Sequence, residues 1–228
     1  MPTGNDSKKV RIHLEDGGAV SGRLCLPRDR RDALLVLAHG AGNDMDNPFL
    51  SFVHEGVAAS GIASLKFNFP YKEAGRRAPD SKAKLQATWR SVIKWARSHP
   101  ELCDCALFAG GKSLGGRMAS LVVAEGESVD GFVFLGYPLH PARKKDQLRI
   151  AHFGALRPPA LFIQGNRDAL CDLSLLRDAL KDIDWPTEVH VINGGDHSFN
   201  VPKGLGVTDQ RVWEEIVTTV CEWITRQQ

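Results

Sequence analysis

The sequence Gly-Gly-Lys-Ser-Leu-Gly-Gly at residues 110–116 decides the fold of this chain. It follows an apolar run at residues 106–109 and opens a helix-like run at residues 117–124. Glycines stand two residues before and two residues after Ser113, which lets a strand and a helix approach closely at a sharp turn. Such a turn is strained and presents the serine hydroxyl for chemistry. A glycine-rich loop can contain a serine by chance, so the rest of the chain must test the interpretation.

Predicted strands and helices alternate along the rest of the sequence. Apolar runs predict strands at 33–38, 62–67, 105–109, 132–135, 159–164 and 188–192. Helical patterns are found at 47–59, 82–98, 114–124, 174–182 and 208–226, the last with Thr208 as its N-cap. This alternation predicts an α/β fold with a mainly parallel sheet that helices cover on both faces. An opening hairpin, 10–15 with 19–26, would add an antiparallel edge.

Length and composition limit the classes of protein to which the chain can belong. Its 228 residues predict a single domain over 1–228, with residues 1–9 flexible. A net charge of +2 gives no general reason to expect nucleic-acid binding. No apolar run has the length of a membrane span, so we expect no membrane partner.

Cysteine usage and the first residues predict where the protein works. The five cysteines are odd in number and scattered, which argues against a disulfide framework and for a reducing compartment. Residues 1–9 are polar and charged with no apolar stretch behind them, so we expect no signal peptide. These features together predict a cytoplasmic protein.

Two later strand ends carry the residues that would activate Ser113. A serine nucleophile needs a base, and the base needs a carboxylate to orient it. Asp168 follows the strand predicted at 159–164, and His197 follows the last predicted strand. The order Ser, Asp, His at successive strand ends predicts a catalytic triad. Asp196 and Asp172 are alternative candidates for the orienting carboxylate. Asp196 directly precedes the histidine in sequence, which makes it hard for its side chain to bind the far side of the ring. Asp172 lies deeper in its loop, toward the next helix.

Acyl transfer also needs hydrogen-bond donors for the oxyanion. One would be the backbone N–H of Leu114, directly after the serine and at a helix N-terminus. The other should come from the loop His39-Gly40-Ala41-Gly42, where the N–H of Ala41 is the natural candidate and that of Gly42 the alternative. We interpret His39 as a residue that orients this loop.

The motifs together resemble those of a known family. They are LLVLAHGAG at 34–42, GGKSLGG at 110–116, QGNRD at 164–168 and GGDHSF at 194–199. In this order they resemble the α/β-hydrolase superfamily over roughly residues 10–226, and more narrowly its dienelactone-hydrolase-like group. Two segments resemble small bacterial hydrolases related to testis-expressed and NSL-complex hydrolase-like proteins. They are the HGAG loop at 39–42 followed by Asn43, Asp46 and Pro48, and the YPLHP segment at 137–141.

The resemblance implies an α/β-hydrolase fold and a triad of Ser113, Asp168 and His197. It does not imply a substrate, because one fold hosts many chemistries. Dienelactone hydrolases proper use cysteine as the nucleophile, whereas this chain has serine there, so dienelactone chemistry does not carry over.

The segment after the strand at 132–135 is too short for a large lid. The two dozen residues between 136 and 158 allow one short helix at about 144–153, so we expect a minimal cap and an open site. Lys112 and His140 are candidates to line the substrate pocket. Two loops are rich in basic residues, and such loops are usually solvated surface. If they face the site, their positive charge would attract an anionic substrate. Their residues are Lys72, Arg76, Arg77, Arg143, Lys144, Lys145 and Arg149.

The sequence therefore predicts a serine hydrolase that cleaves a small ester or thioester through an acyl-enzyme. The mechanism needs no metal and no organic cofactor, and its partner is a small-molecule acyl substrate. One alternative is an interaction protein of the same fold without catalysis, against which the complete set of three residues argues. Another is a peptidase or amidase, which the lack of a propeller or cap domain makes less favourable.

Overall fold

The structure, a computed structural model, describes residues 7–29 and 32–228. Within them, eight strands form one sheet in the order β1-β2-β4-β3-β5-β6-β7-β8. The strands are β1 (Ser7–His13), β2 (Ala19–Cys25), β3 (Ala33–Ala38), β4 (Ala63–Phe67), β5 (Ala106–Lys112), β6 (Gly131–Leu135), β7 (Ala160–Gly165) and β8 (Thr187–Ile192). Strand β2 runs antiparallel to both neighbours, and the remaining neighbouring pairs are parallel. The prediction of a mainly parallel sheet with an antiparallel edge is confirmed.

Helices cover both faces of this sheet. They are α1 (Pro48–Ala59), α2 (Pro70–Glu73), α3 (Lys82–Ser98), α4 (Leu114–Ala124), α5 (Leu173–Lys181) and α6 (Asp209–Arg226). The apolar sides of α1 and α6 pack on one face, and those of α3, α4 and α5 pack on the other. The predicted cap of α6 is present, since the Thr208 side chain accepts a hydrogen bond from the Arg211 N–H.

The central strands are apolar on both sides because both faces of the sheet are covered. Along β3, Leu34 and Val36 belong to one hydrophobic cluster, whereas Leu35 and Leu37 belong to the other. Burying each such side chain contributes about 1.5–3 kcal/mol before entropy losses. The parallel strands also bring their carboxyl ends to one edge of the sheet, where the loops with the candidate site residues begin.

The structure corrects three predictions. Residues 1–6 lie outside the described residues, but 7–9 are not a flexible tail, because they pair with β2 in strand β1. The loop predicted after β4 contains the short helix α2, which Pro70 begins. No α-helix forms at 144–153, and a short 3-10 helix, Phe153–Ala155, begins only at its end. The Arg149 N–H donates to the Leu139 carbonyl and the Arg149 carbonyl accepts from the Tyr137 hydroxyl, which ties this segment to the one after β6.

Candidate active site

Ser113 lies on the sharp turn between β5 and α4. Its φ of 50° and ψ of −111° are rare for a residue with a side chain, and a conformation of this kind costs about 1–3 kcal/mol. The surrounding structure holds it there. The Ser113 N–H donates to the Leu135 carbonyl over 3.1 Å, and the Ser113 carbonyl accepts from the Arg117 N–H over 3.1 Å. The serine is therefore fixed between the end of β6 and the first turn of α4.

The glycines around Ser113 are required by close packing against the end of β3. A Cβ on Gly115 would lie 2.3 Å from the Ala38 carbonyl oxygen, and one on Gly111 would lie 2.1 Å from it. Gly111 also has a φ of 131°, which side chains disfavour. This packing sets the serine beside the loop that follows β3, which is the geometric reason for the sequence motif.

The structure brings the predicted serine, histidine and aspartate together. The Nε2 atom of His197 lies 2.9 Å from the Ser113 Oγ, and its Nδ1 lies 2.7 Å from the Asp168 Oδ2. The Asp168 side chain is fully buried, whereas 26% of the His197 side chain is exposed. A carboxylate at Nδ1 favours the tautomer with the proton there, which leaves Nε2 free to accept the serine proton.

Tight packing between the loops after β7 and β8 brings Asp168 to His197. A Cβ on Gly165 would lie 2.2 Å from the Gly195 carbonyl oxygen, and that oxygen also accepts from the Arg167 N–H over 2.9 Å. The two loops therefore meet backbone to backbone at Gly165 and Gly195, and the Asn166 side chain adds hydrogen bonds to the Asn193 side chain and the Gly194 N–H.

The two rival carboxylates hold backbone in place and do not contact His197. Asp196 accepts hydrogen bonds from the Ser198 and Asn200 N–H groups, which closes the tight loop that presents the histidine. Asp172 caps the start of α5 and forms an ion pair with Lys145. Of the three candidates, Asp168 is the one within hydrogen-bond distance of the ring.

Gln164 is a residue of this site that the sequence analysis missed. It is buried at the end of β7, and its Nε2 donates to the Asp168 Oδ2 over 2.7 Å. Its Oε1 accepts from the Tyr137 N–H over 2.8 Å, so both ends of the amide are used. The Asp168 Oδ1 accepts from the Leu170 N–H over 2.7 Å. The signal was present in the sequence as a lone polar residue closing an apolar strand.

The loop after β3, which contains the predicted donor Ala41, lies beside the serine. A Cβ on Gly40 would lie 3.6 Å from the Ser113 Cβ, so this loop is adjacent to the nucleophile position. The Asn43 N–H donates to the Gly40 carbonyl across a turn in which Gly42 has a φ of 78°. Ala41, in the middle of that turn, is exposed. Leu114 is the first residue of α4, so its N–H has no acceptor within the helix.

His39 holds this loop in place, as predicted. Its Nε2 accepts from the Phe69 N–H over 3.2 Å, and its Nδ1 lies 2.9 Å from the Gly40 carbonyl oxygen, to which it donates. Burial lowers the pKa of His39 to about 4, so the ring is neutral at neutral pH. Its hydrogen bonds therefore join this loop to the segment after β4.

The structure does not support a substrate-lining role for either Lys112 or His140. The Lys112 ammonium is buried 5.3 Å above the centre of the Phe199 ring, although part of the stem is exposed. His140 is buried, and its Nδ1 donates to the Pro141 carbonyl while its Nε2 accepts from the Asp172 N–H. Both side chains therefore point into the protein.

Metal clusters, disulfides and membrane-spanning helices are three further features that could bear on function. Within residues 7–29 and 32–228, no three His, Cys, Asp or Glu side chains cluster closely enough to hold a metal ion. The five cysteines form no disulfide with one another. In the same residues, no helix combines the length and apolar character that crossing a membrane requires.

Comparisons with known proteins agree with this fold. Residues 31–225 match the family described as an alpha/beta hydrolase domain. The chain is 20% identical to a dienelactone hydrolase from Anabaena variabilis, with a TM-score of 0.78 and 97% of each chain covered. It is 19% identical to a serine hydrolase without lid from Xanthomonas campestris, with a TM-score of 0.72, 98% of this chain and 96% of that chain covered. At these identities the two structures support the fold alone.

One protein of similar sequence is named for a reaction other than hydrolysis. The chain is 26% identical over 206 residues to a Mycobacterium tuberculosis protein provisionally named a phosphoribosyl transferase. The match covers 90% of this chain and 43% of the relative, so the chain spans less than half the length of the protein to which that name applies.

Proposed function

We propose that this chain, which belongs to the alpha/beta hydrolase domain family, is a serine hydrolase that cleaves a small ester or thioester. The observation that carries the proposal is the continuous hydrogen-bonded chain from the Ser113 hydroxyl through His197 to the buried Asp168 carboxylate. Residue types, order and distances all fit nucleophilic acyl transfer.

In the first half of the reaction, the Ser113 Oγ attacks the substrate carbonyl carbon while His197 Nε2 takes the serine proton. The Asp168 carboxylate stabilises the imidazolium that forms. The carbonyl oxygen becomes an oxyanion, to which we assign the N–H groups of Leu114 and Ala41 as donors. Collapse of the tetrahedral intermediate breaks the bond to the alcohol or thiol, which leaves with the proton from His197.

In the second half, water attacks the acyl-enzyme and His197 takes its proton. The acid is released and the proton returns to the Ser113 oxygen, which restores the starting state. The partly exposed ring of His197 gives water access to this step. The reaction is complete with these side chains and the two backbone donors, and no step calls for a cofactor.

Hydrolysis of p-nitrophenyl butyrate tests the proposal. We expect turnover by the wild type and a loss of at least about 1,000-fold in kcat/KM for Ser113→Ala, since a triad serine contributes on that order or more. Ser128→Ala is the matched control, because Ser128 is an exposed loop serine. Equal rates for wild type and Ser113→Ala would contradict the proposal.

The alternatives differ from the proposal in what they would hydrolyse. An interaction protein would turn over no ester, and a peptidase or amidase would also cleave the p-nitroanilide of the same acyl group, which an esterase would leave intact. The phosphoribosyl transfer in the relative's name would exchange groups at a ribose carbon, a reaction in which an acyl-transfer triad has no role. A cytoplasmic location and independence of nucleic acids and membranes stay predictions.

A further inference from the structure

A groove of about 470 Å³ lies between α4 and the segment at 148–155. Two arginines line it: Arg117 from the first turns of α4, and Arg149 from the segment that follows β6. Apolar lining comes from Leu121 and Leu148. The groove therefore combines two guanidinium groups with a partly apolar wall, as sites for small organic anions do.

The two arginines have no carboxylate partners within the described residues. Neither takes part in an ion pair there, and the Arg117 Nε is buried without a hydrogen-bond partner in the same part of the chain. Arg149 Nη1 reaches only the Pro138 carbonyl, over 3.4 Å. Burial, and secondly the positive charge of Arg117, lower the pKa of Arg149. Two unpaired like charges in one groove repel each other, and a bound anion would relieve that repulsion.

The other titratable groups of the groove leave this positive charge in place. Glu125 is held by Arg90 over 2.6 Å and by Gln86 over 2.7 Å, both outside the groove lining. Lys82 adds a further positive charge, 3.9 Å from Glu125. His152 contacts the Ser120 Oγ over 2.8 Å, and burial lowers its pKa to about 4, so it is neutral at pH 7.

The groove begins one helical turn from the nucleophile. The backbone N–H of Arg117 donates to the Ser113 carbonyl. The four residues from Ser113 to Arg117 correspond to a rise of about 6 Å along an α-helix. Leu114, next to the serine, and Leu148, in the groove, are half-buried against the same hydrophobic cluster. A substrate with its reacting carbonyl at Ser113 would have to extend along the first turn of α4 to reach the arginines, because the groove lining includes Arg117 but not Ser113.

We propose that Arg117 and Arg149 bind an anionic group of the substrate, a carboxylate or phosphate carried on its acyl or alcohol part. The inference rests on the proposed function, whose substrate class it narrows. Planar guanidinium groups suit such oxyanions because each donates two parallel hydrogen bonds. Of the basic-loop residues named from the sequence, Arg149 lines this groove, whereas Arg76 pairs with Asp80 and Lys145 with Asp172.

Matched ester pairs test the inference and identify which part carries the anion. The acyl arm compares the p-nitrophenyl monoester of glutarate with p-nitrophenyl pentanoate. The alcohol arm compares 4-acetoxybenzoate with its methyl ester. We expect the anionic member of one pair to have at least about tenfold higher kcat/KM, and Arg149→Gln to remove most of that preference, because it removes the charge-assisted hydrogen bonds to the anion.

Two further variants distinguish hydrogen bonding by the Arg149 guanidinium from a general effect of positive charge, and thermal unfolding tests whether each variant is folded. Arg149→Lys keeps the charge but loses the planar fork, so we expect an intermediate preference. Lys144→Gln removes an exposed charge on the same segment and should leave the anionic-to-neutral ratio as in the wild type. Thermal unfolding of each variant shows whether it is folded.

The outcomes distinguish the inference from the proposed function. Turnover of neutral esters without preference for either anionic ester would overturn the inference and leave the function standing. If no ester is turned over, the function fails, and saturation-transfer NMR with glutarate decides the site by itself. Glutarate binding that is lost in Arg149→Gln would support an anion site, and absence of binding to the wild type would overturn it.

Discussion

At the scale of single residues, the site is a set of side chains fixed by neighbours that do no chemistry. Asp168 contacts His197, and Gln164 together with the Leu170 N–H holds Asp168. The three triad positions follow from residue type and chain order. The sequence marks Gln164 only as a lone polar residue that closes an apolar strand, and its role, like the inward direction of Lys112, becomes clear from the folded contacts.

At this scale, Lys112 allows a prediction about stability, because its buried ammonium has no hydrogen-bond partner among the described residues. Burial lowers its pKa from 10.5 to about 8. Below pH 8 the native state carries the full cost of burying the charge. Between pH 8 and 10.5 the unfolded state binds more protons, so stability rises with pH. We expect Lys112→Met to be more stable at pH 7, by up to about 3 kcal/mol, with the gain shrinking toward pH 10.5.

Urea unfolding at pH 7, 8.5 and 10 measures this difference. The exposed Lys144→Met is the control and should track the wild type at all three pH values. Parallel stability curves for Lys112→Met and the wild type would show that the lysine does not carry this cost.

At the scale of elements, the turn between β5 and α4 and the end of β3 determine one another. The glycines around Ser113 leave no room for a side chain against Ala38, and Trp89 of α3 anchors the turn through the Gly115 carbonyl over 3.1 Å. This local chemistry is strong, which is why residues 110–116 identify the turn. The segment at 144–153 has helix-forming residues, yet its bonds to Tyr137 and Leu139 override that propensity.

The close packing at Gly115 predicts that adding one methyl group there will strongly lower the stability of the protein. Gly115→Ala should lose about 2–4 kcal/mol of stability, because the new Cβ would overlap the Ala38 carbonyl oxygen and push β3 from α4. Gly204→Ala is the control, since nothing lies within 4 Å of its Cβ position. Chemical denaturation compares the two. A Gly115→Ala protein as stable as the control would mean that the turn and β3 are not in close contact.

At the scale of the whole molecule, two buried histidines lie in separate parts of the fold, His39 in the loop after β3 and His54 in α1. Burial lowers the pKa of His39 to about 4 and that of His54 to about 3. Below pH 6.5 the unfolded state binds the protons that the native state excludes, so stability falls as pH falls from 6.5 toward 4. Each histidine contributes a slope of up to about 1.4 kcal/mol per pH unit.

The slope of stability against pH distinguishes the effect of burying a neutral histidine from the effect of lost packing. We expect His54→Gln to be less stable at pH 7, since it loses the contacts with Cys25 and Ser64, but to show a flatter decline between pH 6 and 4. His13→Gln, at the exposed end of β1, should keep the wild-type slope. The same decline in His54→Gln as in the wild type would contradict a buried neutral His54.

The central claim is that Ser113 is the nucleophile of a serine hydrolase. Its most direct test is peptide mapping by mass spectrometry after reaction with a fluorophosphonate. The account predicts one phosphonyl group per chain, on Ser113, with labelling abolished in Ser113→Ala and strongly slowed in His197→Ala, whose serine has no base. An unlabelled wild type, or label on another residue that persists in Ser113→Ala, would contradict it.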